Sequence, residues 1–401
     1  MTDDQKRQAL PLAGVTVVAV EQAIAAPFAT RQLADLGARV IKIERTGDGD
    51  FARGYDTLAG GLSSHFVWTN RSKESLGLNL KHPDGQALLW QLLGQADVFV
   101  QNLAPGAMAR LGFSAEAIRV RNPSCIVCDL SGYGADGPYR DRKAYDLLIQ
   151  CEVGMPMITG TVETPSKTGI SVADIAGGMY AFSGILLALY ERERSGEGRV
   201  LQVSLFDALA EWMGFPFYAA YGGATPARAG ASHATIAPYG PFPTADGTLF
   251  LAVQNEREWR RLCVDVLEQP ALSDDPRFTN NSARTKHRQE TDGAVAAALR
   301  QLPIDEAERR LEQAGIAYSR LRDVDDLGTH PQLVERGRWQ QVESAVGPLP
   351  SLLPPLAMQP GDARLDPVPG LGEHTEAILA ELGYDTAARE RLRQDGVVQA
   401  P

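Results

Sequence analysis

Cysteine is scarce in this chain: four residues among 401. That rules out a disulfide-stapled scaffold. Cys125 and Cys128 form a CxxC, but it sits inside Cys-Ile-Val-Cys-Asp-Leu. No second cysteine pair or histidine cluster accompanies it, so the pattern reads as a buried strand and not as a zinc or redox site. No apolar run approaches the roughly 18–20 residues that cross a bilayer. The first residues, Met1-Thr2-Asp3-Asp4-Gln5-Lys6-Arg7, carry no apolar signal region, and the expected location is cytoplasmic. Positive charge is in deficit, with Lys+Arg 39 against Asp+Glu 50 and a net charge of −11. Neutralising nucleic-acid phosphates needs clustered Lys and Arg, so nucleic-acid binding is excluded. After the apolar run Val15–Val20 comes Glu21-Gln22-Ala23-Ile24-Ala25-Ala26-Pro27, without a glycine. The dinucleotide fingerprint is therefore missing, and an NAD or FAD oxidoreductase is excluded with it.

What is present is ordinary globular composition, 44% hydrophobic and 22% charged, with length enough for two domains at about 150 residues each. Strands are expected at Val15–Val20, Arg39–Ile43, Val98–Val100, Cys125–Leu130 and Val200–Leu205. Helical spacing is expected over Phe28–Leu36, from an Asp84 cap through Ala96, and from about Ile175 to Glu193. Alternation of apolar strands with helices predicts an α/β fold with a parallel sheet covered on both faces. Gly222–Gly247 holds five Gly and four Pro and reads as a linker or long loop. Beyond it, a strand at Thr248–Val253 and helices at Glu256–Leu267, Gln289–Leu302 and Asp305–Ala314 suggest a smaller α+β domain over 225–325. Seven prolines between Pro348 and Pro369 predict extended chain, and a final helix begins near Thr375.

Basic and polar residues recur where strands end or helices begin: Arg45, Arg71, Lys73, Lys81, Asn102, Arg110, Arg140, Arg142 and Lys143. Ligands of open α/β sheets bind at the carboxyl ends of strands, so these side chains are candidates for a local anion site in an acidic protein. A solvated surface is the simpler account of them. Asp174 precedes the longest apolar helix and reads as its N-cap. Gly177 and Gly178 early in that helix, each costing about 1 kcal/mol relative to Ala, indicate close packing there. A carboxylate facing free N–H groups suits a nucleophile, although a cap alone accounts for it.

Taken together, Leu12-Ala13-Gly14-Val15, Leu36-Gly37-Ala38-Arg39-Val40-Ile41-Lys42-Ile43-Glu44, Asn70-Arg71-Ser72-Lys73-Glu74-Ser75-Leu76, Ala96-Asp97-Val98-Phe99-Val100-Gln101-Asn102 with Pro105-Gly106, Asp174 with Gly177-Gly178, Arg194-Ser195-Gly196-Glu197-Gly198 and Leu371-Gly372-Glu373-His374-Thr375 resemble the class III CoA-transferases. That group includes formyl-CoA transferase, carnitine CoA-transferase and a divergent racemase branch. The resemblance spans nearly the whole chain. It implies a large Rossmann-like domain made of 1–224 and a return segment 326–401, with the small domain between them. It also implies a homodimer of two interlocked rings. Asp174 becomes the catalytic carboxylate. The CoA contacts fall on Ala23, Ile24, Ala25, Arg45, Leu78, Lys81, Asn102, Leu103, Arg110, Lys143 and Tyr145. No metal and no redox nucleotide is expected; CoA enters as the acyl-CoA substrate.

Formyl-CoA transferase has a glutamine in the first turn where this chain has Ile24, which argues against a formyl/oxalyl substrate pair. The racemase branch places a His–Asp pair where this chain has Tyr145-Asp146. A tyrosine with a pKa of about 10 is a poor base at neutral pH, which favours transfer over racemisation. Phe51–Asp56 and Ala229–Phe242 look most like members that handle C4–C5 dicarboxylates, with succinyl-CoA as expected donor and itaconate or mesaconate as acceptor. Arg53, Arg228 and His233 are the candidates for the acceptor's second carboxylate. An ordinary aspartate pKa of about 4 would leave Asp174 ionised at neutral pH. Two other readings remain open at this point: an α-methylacyl-CoA racemase-like isomerase, and a CoA-binding protein without catalysis.

Overall fold

The computed structural model describes residues 10–356 and 363–401. Short apolar runs build a seven-stranded sheet from β1 (Thr16–Val20), β2 (Arg39–Glu44), β3 (Lys73–Leu78), β4 (Val98–Gln101), β5 (Ile126–Ser131), β6 (Val200–Ser204) and β7 (Val398–Gln399). The order is β7-β3-β2-β1-β4-β5-β6. Every neighbour is parallel except β7, which runs antiparallel to β3 with Val398 opposite Leu78 and Gln399 opposite Gly77. Val17, Val18 and Ala19 of β1 are fully buried, as a parallel strand covered on both faces must be. The mixed α/β architecture with a parallel-dominated sheet is the expected one.

Two strands of this sheet, β3 and β7, lie outside the sequence-based expectation. β3 reads Lys-Glu-Ser-Leu-Gly-Leu and lacks an apolar run. It is held as a strand by pairing with β2 and β7. A Cβ at Gly77 would lie 2.7 Å from the Gln399 carbonyl oxygen, so the small residue admits β7.

The helices that bear on function are α1 (Ala25–Asp35), α2 (Ser64–Asn70), α3 (Pro83–Leu93), α4 (Asp146–Glu152), α5 (Val172–Ser195), α6 (Leu205–Trp212), α7 (Thr375–Glu381) and α8 (Thr386–Gln394). In α3 the cap is His82, not Asp84. The His82 ring nitrogen accepts from the Asp84 N–H at 3.2 Å, Pro83 takes the first helical position, and the helix stops at Leu93. Leu88, Leu89, Leu92 and Leu93 pack with Val18, Ile41, Leu76 and Phe99, and with Ile378, Leu379 and Leu392 of α7 and α8. The return segment thus shares the core of the first half. α5 is long and apolar enough to cross a membrane by length and composition alone, with a mean hydropathy of 1.6 over its most apolar stretch, contrary to the sequence expectation. Over half of that stretch is buried in the protein, and a core helix passes the same test.

The described chain divides into two compact units. One takes the residues as far as Val153, Gly169–Met213 and those from Gln332 onward; the other takes Gly154–Thr168 and Gly214–Pro331. The boundaries fall before 224 and after 325, and a stretch of the first half joins the second unit. That unit contains a three-stranded antiparallel sheet, Tyr239–Pro243, Thr248–Ala252 and Ala317–Arg320, around a core of Leu249, Leu251, Trp259, Phe278 and Leu311. Tyr239–Pro243 is a strand where the Gly/Pro content predicted loop: its alternate residues Gly240 and Phe242 are buried. Within the proline-rich stretch, Leu349–Leu352 forms a hairpin with Trp339–Val342; residues 357–362 lie outside the described residues.

Candidate active site

The strand order reverses between β1 and β4, and open α/β sheets bind ligands in the crevice beyond the strand ends at that point. The turns after these two strands grip each other. Asn102 Oδ1 accepts from the Gln22 N–H, and Asn102 Nδ2 donates to the Gln22 carbonyl, both at 2.8 Å. Ala23 then takes φ +61°, a left-handed conformation uncommon for any residue but glycine. Its N–H donates to Asp50 Oδ1 at 3.1 Å. Ile24 and Ala25 open α1, which has neither a side-chain cap nor an acidic residue in its first turn. The Ile24 side chain is buried, so no polar group stands in its place.

α5 starts beside this turn. A Cβ on Gly178 would lie 2.7 Å from the Ala25 carbonyl oxygen, and one on Gly177 would lie 2.5 Å from Leu205 of α6. The paired glycines are the device that lets the two helix starts approach, as their cost in the sequence suggested.

Asp174 is not the cap of α5. Ser171 holds the cap position without a side-chain bond, and Asp174 lies inside the first turn. The free N–H groups are taken by Asp146 of α4, whose Oδ1 accepts from Ala173 at 2.7 Å and from Asp174 at 3.3 Å. Gln150, buried on the same helix, donates to Asp146 Oδ2 at 2.7 Å. A carboxylate from a neighbouring helix thus does the capping and leaves that of Asp174 free of it. Burial, and then the like charge of Asp146, push Asp174 up to about 7. The expectation of an ordinary aspartate is corrected: near neutrality this group is divided between acid and carboxylate.

Tyr55 belongs here as well, and sequence reasoning did not single it out. Burial, and then the negative charges of Asp50, Asp174 and Tyr145, push its phenol up to about 12. Its ring meets His65 edge-on at 5.4 Å. His65 Nδ1 is 3.1 Å from Asp56 Oδ2, and Asp56 also accepts from the Ser64 N–H, the Leu58 N–H and the Ser64 hydroxyl. The sequence had named its segment, Phe51–Asp56, through the resemblance, but nothing there picked out the tyrosine.

Of the remaining candidates, Arg45 is exposed near Asp48 at 3.9 Å, and Lys81 is exposed just beyond β3. Arg110 donates to the Pro105 carbonyl at 3.2 Å, Lys143 is exposed, and Tyr145 directly precedes α4. All lie beyond the carboxyl ends of β2, β3, β4 and β5. Leu103 is half-buried against the core, and its N–H donates to Gln101 at 2.9 Å. Leu78 is a core side chain paired with Val398, so only its backbone is available to a ligand.

Arg53 is corrected. It forms a bidentate pair with buried Glu44 at 2.8 Å through each nitrogen, donates to the Pro369 carbonyl and stacks on Phe66 at 3.8 Å. With Ser75 also donating to Glu44, this is a structural cluster, and Arg53 is not a free cation for substrate. Arg228 and His233 lie in the second unit. Arg228 donates to the Thr161 and Val162 carbonyls at 2.8 and 2.6 Å. His233 stacks on Tyr239 at 5.2 Å and accepts from the Thr235 N–H. Among the described residues no cluster of three His, Cys, Asp or Glu is placed to hold a metal ion.

The family model described as CoA-transferase family III matches residues 12–375. The chain belongs to CoA-transferase family III. It is 35% identical over 393 residues to the succinate–glutarate CoA-transferase of Agrobacterium fabrum, covering 95% of this chain and 98% of that one. It is 36% identical over 329 residues to the acetyl-CoA:oxalate CoA-transferase of Acetobacter aceti, covering 81% and 84% respectively. The crystal structure of a CaiB/BaiF family protein from Brucella suis aligns with a TM-score of 0.82 at 32% identity, over 93% of this chain and 99% of that one. A family III CoA-transferase uses CoA thioesters and carboxylic acids as its substrates. That membership sets aside the non-catalytic reading.

Proposed function

We propose that the protein transfers CoA from succinyl-CoA to a small dicarboxylic acid, of which the C5 acids itaconate and mesaconate are our leading acceptors, with Asp174 as the covalent carrier. One observation carries the reading. A carboxylate held free of capping duty, in a partly desolvated place, lies one turn of α5 before Gly178, which packs on the Ala25 carbonyl of the turn that an acyl-CoA would approach. The raised pKa helps: a more basic carboxylate is the stronger nucleophile, while about half remains ionised near pH 7.

In the proposed sequence the Asp174 carboxylate attacks the thioester carbonyl of the donor. The C–S bond breaks, leaving a mixed anhydride and CoA thiolate. The thiolate attacks the aspartyl carbonyl, the donor leaves as a free carboxylate, and an aspartyl–CoA thioester remains. The acceptor carboxylate attacks that thioester and releases thiolate, which then takes the acceptor acyl group and restores Asp174. One thioester replaces another, so the overall exchange is close to balanced. Anhydride and thioester both hydrolyse, so water must be kept from the site.

The turn from Ala23 to Ala25, with Asn102, Leu103 and the backbone at Leu78, would hold the pantetheine side. Arg45, Lys81, Arg110 and Lys143 would meet its phosphates, with Tyr145 at the thioester end. Arg53 is committed to Glu44, Arg228 to the Thr161 and Val162 carbonyls and the His233 ring to Tyr239, and the second carboxylate is assigned to none of the three. The relatives named for succinate and glutarate or for oxalate act on dicarboxylic acids, which supports the substrate class. The homodimer belongs to the same proposal. Leu187 and Tyr190 of α5 are 69% and 66% exposed, and apolar side chains clustered on one helix mark a surface that a partner covers.

The test is a panel of C2–C6 acids offered with succinyl-CoA and scored by mass spectrometry. Exchange with dicarboxylates and none with matched monocarboxylates is expected, and hydroxylamine added mid-turnover should label Asp174. Absence of exchange with every acid overturns the reading. Racemisation would instead show deuterium uptake at the acyl α-carbon with no acceptor present.

A further inference from the structure

Beneath the first turn lies a group of charges that the transfer chemistry does not use. Glu21, Lys42, Glu44, Asp50 and Lys73 are all buried, and the side chains of the Lys42–Asp50 and Lys73–Glu21 pairs are 0% exposed. Lys42 Nζ donates to Asp50 Oδ2 at 2.8 Å. Lys73 Nζ donates to Glu21 Oε1 at 2.7 Å, to the Pro27 carbonyl at 3.0 Å and to Asn70 at 3.1 Å. The Thr30 hydroxyl donates to the other Glu21 oxygen at 2.7 Å. The Asp50 N–H in turn donates to Glu44 Oε2 at 3.0 Å. Buried charges of this kind are weak sources of stability compared with apolar packing, so their arrangement calls for another account.

Asp50 supplies one. Its Oδ2 is held by Lys42, and its Oδ1 accepts from the Ala23 N–H at 3.1 Å and the Ala52 N–H at 2.9 Å. Ala23 is one of three non-glycine residues with positive φ among the described residues. An alanine reaches φ +61° only where its surroundings over-determine it. Asn102 fixes the peptide before it, and Asp50 fixes its own N–H. The next residues, Ile24 and Ala25, start α1 against Gly178 of the catalytic helix.

We propose that Asp50, anchored by Lys42, is a positioning residue that holds Ala23 in its left-handed conformation and so sets the course of the acyl-CoA-facing turn. The assignment rests on the proposal that this turn receives acyl-CoA, and it makes Asp50 a determinant of CoA affinity without contact to the reacting atoms.

Glycine adopts the same conformation without strain, so the test is a rescue. CoA affinity by calorimetry, the KM for succinyl-CoA, kcat and urea stability are compared for wild type, Asp50→Asn, Ala23→Gly and the double variant. Asp50→Asn should weaken CoA binding roughly tenfold, the scale of one strained residue released, and raise KM more than it lowers kcat. Ala23→Gly in that background should restore most of the affinity while the lost stability stays lost. If Asp50→Asn does not fold, Ala23→Val reads the same point, because a β-branched residue cannot hold this φ; it should weaken CoA binding comparably. Affinity within twofold of wild type in folded Asp50→Asn or Ala23→Val, or a double variant that binds no tighter than Asp50→Asn alone, overturns the assignment. A wild type that binds CoA but exchanges it with no acid sinks the transfer reading alone, since the binding comparison still decides the role of Asp50. A wild type that binds no CoA sinks both.

Discussion

Replacing Asp174 by Asn separates what this carboxylate does for chemistry from what it does to the fold. Burial and the charge of Asp146 raise its pKa from 3.8 to about 7. At about 1.4 kcal/mol per pKa step, ionised Asp174 destabilises the folded protein by roughly 4 kcal/mol. Its place in the first turn of α5 offsets about 0.5 kcal/mol of this through the helix dipole. The Asn variant should therefore be inactive in transfer and more stable than wild type by roughly 3.5 kcal/mol at about pH 8. The sign follows from proton binding. The folded state holds the Asp174 proton more tightly than the unfolded chain does, so the wild type loses stability as pH rises from about 4 to about 7. The variant lacks that slope, and the two curves should converge toward pH 4. Urea denaturation at several pH values reads this directly. A variant less stable than wild type by about 1 kcal/mol at every pH is what loss of a helix cap would give, and it would refute the argument.

Asp146→Asn keeps an oxygen for the Ala173 N–H but removes the charge. The acidic limb of the kcat/KM profile should move below pH 7 while staying above that of an ordinary aspartate, because burial is the larger cause; an unmoved limb contradicts this. Gly178→Ala puts a Cβ 2.7 Å from the Ala25 carbonyl and should destabilise by roughly 1–3 kcal/mol and raise the KM for acyl-CoA. Gly184→Ala on the same helix meets only Leu201 at 3.5 Å and should stabilise by up to about 1 kcal/mol in the same urea assay. Arg53→Ala strands the buried Glu44 carboxylate and should cost roughly 3–5 kcal/mol of stability, with the acceptor profile of the surviving enzyme unchanged.

Much of the sheet was legible because its strands are apolar on both faces. Val98–Val100 and Cys125–Leu130 were expected within a residue of where β4 and β5 lie. The CxxC resolves as buried strand, its two thiols free and pushed up to about 12 by burial. β3 and β7 escaped because their strand character comes from partners distant in sequence. Helix starts were misread where a remote or unexpected side chain supplies the cap: His82 for α3, and Asp146 for α5. The same blindness concealed the chemistry at Asp174. Nothing in Ser171-Val172-Ala173-Asp174 announces that a carboxylate 28 residues away in the chain both frees it from capping and raises its pKa. Arg53 was overvalued for a related reason, since its partner Glu44 could not be told in advance from nearby Asp50 or Asp56.

β7 has a practical bearing on anyone handling the protein. Two residues at the far end of the chain close the β3 edge, and the Val397 carbonyl accepts from the Asn79 N–H at 2.8 Å, two positions before Lys81. Trimming or fusing anything after Gln399 therefore reaches a loop that begins more than 300 positions earlier. An affinity tag placed there perturbs the turn that carries Lys81, one of the side chains proposed to meet the CoA phosphates.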